Sequence, residues 1–286
     1  MDDLTITLIR AGSMASIVTF MLSRGLEVRH GDLWYLGSRR VLLLKSLLSV
    51  DVIVPLITIA VIVLVRPAKA TAIGMLILSA APVAPMILKK ILQSGGTREY
   101  AINLHLILAV LTIVSTPITL DLFSVAAGFH LGINPVAIAG LVGLSVILPI
   151  SGGMIMKQLF PSVSKHIKWL LEAFSGALFI LVNVVVLLST YQLLFMMDIR
   201  SYIAIALMIT GSIIAGHLMA KEHPGEQTTL ALESAARNVN LTLLITSTFT
   251  ILEKALPIII PYIVILAITT TIYVRYQKRR LDLPKT

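Results

Sequence analysis

The chain has 286 residues, of which 57% are hydrophobic and only 13% charged, with no cysteine and a formal net charge of +9. A soluble domain carries about 25% charged residues, so this composition excludes one, and the missing cysteines exclude disulfides, thiolate metal sites and cysteine nucleophiles. The positive charge does not point to nucleic acid, because a multispan membrane protein gathers Lys and Arg on its cytoplasmic side.

Apolar runs of roughly 20 residues, enough to cross a bilayer, recur from end to end. They predict an all-α integral membrane protein, one polytopic domain over 1–286 in the cell (cytoplasmic) membrane. About nine spans are expected, at 4–22, 41–65, 70–92, 100–123, 134–156, 167–190, 201–219, 227–252 and 256–275. The acidic start, MDD, with no clear cleavage site after it, argues against a removed signal peptide. Span 1 contains Arg10 and Gly12. The segment after it, GDLWYLGSRR (Gly31–Arg40), is amphipathic and is expected at the interface, with Trp34 and Tyr35 at headgroup depth.

Span 2 carries Lys45, Asp51 and Pro55, and the proline predicts a kink. Asp51 could pair with Lys45 or with Arg10. Span 3 is interrupted by APVAP, where Pro82 and Pro85 remove two backbone donors and prevent a regular helix. Lys89 and Lys90 follow the break, as charge anchors on the cytoplasmic side or as substrate ligands. Span 4 holds Asn103 and His105 near its start, then Thr112, Ser115, Thr116 and Pro117; span 5 holds Pro149, Gly152 and Gly153. Glu172 and Asn183 lie in span 6, and span 7 ends in the polar turn GHLMAKEHPG.

Span 8 holds the most informative stretch, TTLALESAARNVNLTLLI (Thr228–Ile245), with Glu233, Arg237, Asn238 and Asn240 in one run. A charge at the bilayer centre costs roughly 2.5–3.5 kcal/mol on insertion scales, and such residues face a protein interior or a watery cavity. The run therefore reads as a second broken helix lining a site. Glu233 and Arg237, spaced i, i+4, are placed to meet on one helix face. They form either a structural ion pair or a site in which the guanidinium also faces an anionic substrate. Asn238 and Asn240 line the cavity or cap the interrupted helix. His105 is a candidate proton carrier, since imidazole titrates near a pKa of about 6.5, or an interface histidine. Span 9 contains Pro257 and Pro261 and leads into the basic tail RYQKRR.

Sixteen basic residues at or beyond span ends fall on one side, among them Arg24, Lys89, Lys157 and the tail; Arg66, Lys69, Arg200 and Lys254 fall on the other. The positive-inside rule then puts the N-terminus outside and the C-terminus in the cytoplasm. The two broken spans lie five apart. A repeat of an odd number of spans inserts upside down relative to its partner, and paired broken helices mark the site of an inverted-repeat secondary transporter. The repeats would cover 4–124, with four spans, and 132–276, with five. The halves share no evident sequence identity, so this rests on spacing.

Three stretches, SAAPVAPMILKKILQSGG, LSVILPISGGMIMKQLFPSVSKHI and LALESAARNVNLTLLI, taken in order, resemble the bile acid:sodium symporter family. The first sits where that family has a Pro-Gly-Gly-x-x-Ser-Asn break. The second is similar to its Leu-Pro and Gly helix with a basic Phe-Pro end. The third is similar to its Glu-x-Gly-x-Gln-Asn-x-x-Leu break. The resemblance implies panel and core domains, two discontinuous helices crossing at the membrane centre, alternating access, and the loss of the family's first helix. It also implies two sodium sites, and there this sequence departs. The Ser-Asn positions read Ile87 and Leu88, the helix hydroxyls fall at Asn103 and Ile107, Glu233 is kept, and the Gln of the second site is Arg237. Hard cations need several oxygen ligands, so the fold carries over better than the ion.

The reading is a secondary transporter of a small organic anion, embedded in the lipid bilayer, with no nucleic-acid partner and no enzymatic activity. Neither cofactor nor metal is expected. Sodium is disfavoured at the usual sites, which leaves a proton on Glu233 or His105 as the coupling ion. The alternatives are a sodium symporter with rearranged sites, a passive anion channel, or a carrier like the auxin-efflux proteins. An intramembrane enzyme is disfavoured, since the sequence has neither HExxH nor GxSxG.

Overall fold

The computed structural model describes residues 2–28, 35–84, 86–126, 134–220, 223–249 and 251–280, and all regular structure among them is helical. Eleven helices follow one another: α1 Asp3–Glu27, α2 Arg40–Val65, α3 Lys69–Ser79, α4 Ile87–Gln93, α5 Arg98–Ala126, α6 Pro135–Leu159, α7 Pro161–Met196, α8 Ile199–Met219, α9 Pro224–Ala235, α10 Val239–Thr248 and α11 Leu252–Arg280. Seven of these, α1, α2, α5, α6, α7, α8 and α11, are long and apolar enough to cross a membrane. The third and eighth expected spans are instead pairs of short helices, α3 with α4 and α9 with α10. Each pair is separated by non-helical backbone. The chain is thus an all-α membrane protein, and among the described residues seven helices are long enough to cross on their own, with a broken pair in the place of the third and of the eighth expected span.

Two packed groups are visible in the contacts. Helix α1 packs against α6 and α7, forming a panel, while α2, α3, α8, α9 and α11 pack on one another, with α4 and α5 alongside, as a core. The groups meet where α1 touches α10, α5 touches α6, and α7 touches α11. Two glycines let the panel close. A Cβ built on Gly25 would lie 2.2 Å from the Ile150 carbonyl oxygen, and one on Gly153 would lie 2.2 Å from that of Leu22. Without side chains at these points, α1 and α6 pack backbone to backbone, the small-residue contact that membrane helices use.

Proline shapes two helices in the same way. Pro55 follows a π-helical turn at Leu48–Ile53, and Pro149 follows another at Gly143–Ile147. A proline ring clashes with the carbonyl of residue i−4 and leaves it without a donor. A wide turn just before the proline absorbs that misfit without ending the helix. Helix α7 runs beyond its expected span because Pro161 serves as a helix start and the chain stays helical until Met197.

The expected interfacial segment differs. Gly31 to Trp34 lie outside the described residues, and Tyr35 belongs to a turn, not a surface helix. Its phenol donates to Glu226 Oε1 at 2.8 Å, Arg39 pairs with the same carboxylate, and its ring stacks on Tyr100 with centroids 6.1 Å apart. Burial, aided by the Glu226 carboxylate, pushes the Tyr35 phenol up to about 12. This turn thereby ties the start of α2 to the start of α9.

Candidate functional site

The two breaks meet. The backbone N–H of Asn238, in the α9–α10 break, donates to the Ala81 carbonyl, in the α3–α4 break, at 2.8 Å. A broken helix frees backbone groups that must be paired when buried, and here each freed carbonyl of α3 finds a different donor. Ser79 O accepts from Arg237 Nη1 at 3.3 Å, Ala80 O from the Thr116 hydroxyl at 2.7 Å, and Ala81 O from Asn238 N. On the α9 side, Ser234 O accepts from Arg237 Nη2 at 2.7 Å and Ala235 O accepts from the Tyr262 phenol at 2.8 Å. The same phenol oxygen accepts from Arg237 N at 2.6 Å. Val83, in the first break, has φ of 66°, a left-handed conformation that a β-branched residue adopts only under strain. Such strain concentrates at functional sites and costs of order 1–3 kcal/mol.

Arg237 occupies the point where the C-terminal ends of α3 and α9 converge. It is 1% exposed, and its guanidinium also donates to Val50 O in α2 at 3.1 Å. Helix C-termini carry partial negative charge and favour cations. Two such ends with three inward carbonyls form a cation site, and the side chain itself supplies the cation. The expected i, i+4 pairing of Glu233 with Arg237 is not made among the described residues. Helix α9 stops at Ala235, so Arg237 leaves the helical path and turns to the carbonyls. Glu233, fully buried, has a different partner: His105 Nδ1 lies 3.0 Å from its Oε1. The outer atoms of the pair, Glu233 Oε2 and His105 Nε2, are buried without a hydrogen-bond partner. Arg10, one of the two partners expected for Asp51, instead donates to the Ser247 carbonyl at 2.6 Å and anchors α1 to the end of α10.

A cavity of about 200 Å³ lies between the crossing and the panel. Phe20 and Phe179 face it from the panel, Ile87 and Lys90 from α4, Ala236 to Asn240 from the second break, and Tyr262 to Thr270 from α11. Asn238 has two functions: its Oδ1 caps α10 by accepting from Leu241 N at 3.0 Å, while its Nδ2 has no partner. Asn240 Nδ2 donates to Ser16 Oγ at 2.8 Å, a bond from core to panel.

Of the other sequence candidates, Asn103 and Pro82 are buried near the break on α5 and between α3 and α4, Lys89 is exposed and does not line the cavity, and Pro85 lies outside the described residues. Ile87 and Leu88 are buried aliphatic side chains at the start of α4. One group escaped the sequence reading: Tyr262 stitches the second break to α11, and its only signal is a tyrosine after Pro261 in an apolar span. Of the two lysines read as anchors or ligands, Lys90 lines the cavity and Lys89 does not, and one-residue phase on a seven-residue helix decides between them.

The first break, most of α1 and the helices α2 to α7 fall within a stretch, residues 14–196, that matches the model of the sodium bile acid symporter family. That is more than half of the chain. The chain belongs to the sodium bile acid symporter family. No individual curated protein matches it. The symporter family consists of transporters, so its members act on small anions in a lipid environment rather than as enzymes. The match ends before α8, so the Glu233–Arg237 break lies beyond it.

Proposed function

We propose that this protein is a secondary transporter that moves a small organic anion by alternating access, coupled to protons and not to sodium. The observation that carries the transport reading is the one-sided cavity at the crossing. It runs from the two breaks along α4 and the C-terminal half of α11 as far as Lys90 and Thr270. At its closed end, where Asn240 forms part of the wall, the Asn240–Ser16 bond and, further along α10, the Arg10–Ser247 bond hold α10 against α1. Movement of the core against the panel would break these two bonds and form the cavity on the other face. With the N-terminus outside, as the basic residues argue, the present state faces inward. The pseudo-symmetric four-plus-five repeat, 4–124 and 132–276, is the arrangement that would make the two faces alternate.

The coupling reading rests on Arg237. A guanidinium bonded to Val50 O, Ser79 O and Ser234 O uses the carbonyls that a bare cation would need. Arginine does not deprotonate in a protein, so this positive charge is permanent. It leaves Glu233, His105 and, near Arg237, Asp51 as the groups that can change charge, and one proton shared between Glu233 and His105, 3.0 Å apart, is the simplest exchangeable cation. Uptake of labelled organic anions into proteoliposomes, with sodium and pH gradients imposed separately at fixed membrane potential, tests both parts. Uptake is expected to follow the pH gradient. A steep rise with sodium at fixed pH would overturn the coupling reading, and a single-channel current would overturn alternating access.

A further inference from the structure

Among the described residues, one of the two cations on the cavity wall, Lys90, has no carboxylate beside it. Arg237 also lines the cavity, but its Nη atoms are taken by the carbonyls of Val50, Ser79 and Ser234, and the nearby Asp51 and Glu233 carboxylates offset its charge. Lys90 is half-buried on the lining, and its Nζ donates to the hydroxyls of Thr270 and, at 3.4 Å, Thr271. Among the described residues no carboxylate pairs with it. Neutral hydroxyls orient an ammonium but do not offset its charge, and a partly desolvated cation in an apolar wall favours an anion. The opposite end of the cavity offers the unpartnered Asn238 Nδ2. That assignment is fixed, because the amide oxygen is already used to cap α10. Between these ends the wall is apolar, with the aromatic rings of Phe20, Phe179 and Tyr262.

Size narrows the ligand further. An apolar cavity of about 150 Å³ holds one benzene ring, so about 200 Å³ suits one ring with a short head group. A second carboxylate would have to lie against apolar side chains without a counter-charge, which is costly. A cationic ligand would face the Lys90 ammonium with no carboxylate paired to it among the described residues.

We propose that the cavity binds a ring-sized organic monoanion, with Lys90 as the counter-charge to its carboxylate and Asn238 Nδ2 as a donor to an acceptor at its far end. The use of this site in transport rests on the reading above; the binding does not. The test is equilibrium binding of labelled 4-hydroxybenzoate to the purified full chain in nanodiscs, with 4-hydroxybenzamide and succinate as competitors. Wild-type protein is expected to bind 4-hydroxybenzoate in preference to succinate. Lys90→Met is expected to weaken 4-hydroxybenzoate about ten- to hundredfold, the range that a charge-assisted hydrogen bond carries, and to leave 4-hydroxybenzamide unchanged. Lys90→Arg, which keeps the charge, should retain most of the affinity. An unaltered Kd in Lys90→Met, equal losses for the acid and the amide, a preference for succinate, or no binding of either ring to wild-type protein would each overturn the proposal. Exchange of other labelled anions by wild-type proteoliposomes separates the two readings. If such exchange occurs while 4-hydroxybenzoate neither binds nor is exchanged, transport stands and the ring-sized monoanion falls.

Discussion

Replacing Arg237 by Gln removes the charge at the centre of the crossing while keeping a polar side chain. The guanidinium donates to three main-chain carbonyls, at 3.1 Å to Val50, 3.3 Å to Ser79 and 2.7 Å to Ser234. Hydrogen bonds to a charged group contribute about 1.5–3 kcal/mol each, and a buried acceptor left unpaired costs about 1–3 kcal/mol. One of the three contacts is long, and Gln can reach only one carbonyl. Two losses therefore amount to roughly 3–5 kcal/mol on these magnitudes. At about 2–4 °C per kcal/mol for a chain above 150 residues, Arg237→Gln should lower the unfolding midpoint by on the order of 10 °C. Lys, with a charge but no fork, should fall between Gln and wild type. The assay is thermal unfolding of purified protein in detergent, followed by tryptophan fluorescence, with sodium or choline as the only cation. Sodium should not stabilise wild-type protein, because its place is filled. It should stabilise the double variant Arg237→Gln with Leu88→Asn, which frees the carbonyls and adds an oxygen ligand. A midpoint for Arg237→Gln within about 2 °C of wild type, a small fraction of the shift expected from these contacts, would refute the idea that the guanidinium holds the crossing together. Stabilisation of wild-type protein by sodium would refute its role as a built-in cation.

Glu233→Gln should abolish the response of uptake to an imposed pH gradient while substrate exchange persists, and His105→Gln should weaken it; a pH response intact in Glu233→Gln would remove the pair from coupling. Gly25→Val should separate α1 from α6, since even a Cβ there lies 2.2 Å from Ile150 O. A loss of more than about 3 kcal/mol is expected from such overpacking against backbone, read as a lower unfolding midpoint, whereas the same change at Gly176, where a Cβ meets nothing within 4 Å, should be close to neutral. A protease site added after the basic C-terminal tail should be cut only in inside-out vesicles, and cutting in intact cells would reverse the orientation.

The amino-acid sequence alone determined that this is a helical membrane protein and where two of its helices break. Both conclusions follow from local physics: apolar length against bilayer thickness, proline without a donor at Pro82, and charge too costly to face lipid at Glu233 and Arg237. Tertiary structure decided what each of those polar groups does. The i, i+4 spacing of Glu233 and Arg237 suggested a pair, and that inference assumed a helix continuing through Ala236. The helix ends at Ala235, so the guanidinium follows the freed carbonyls of α2, α3 and α9, while the carboxylate meets His105 from a helix more than a hundred residues earlier in the chain. No local pattern encodes which helix end supplies a free carbonyl, because that depends on how two breaks pack. The choice between Lys89 and Lys90 was equally invisible. Adjacent helical residues differ by about 100° in direction, and only the position of α11 and its Thr270 determines which of the two faces the cavity.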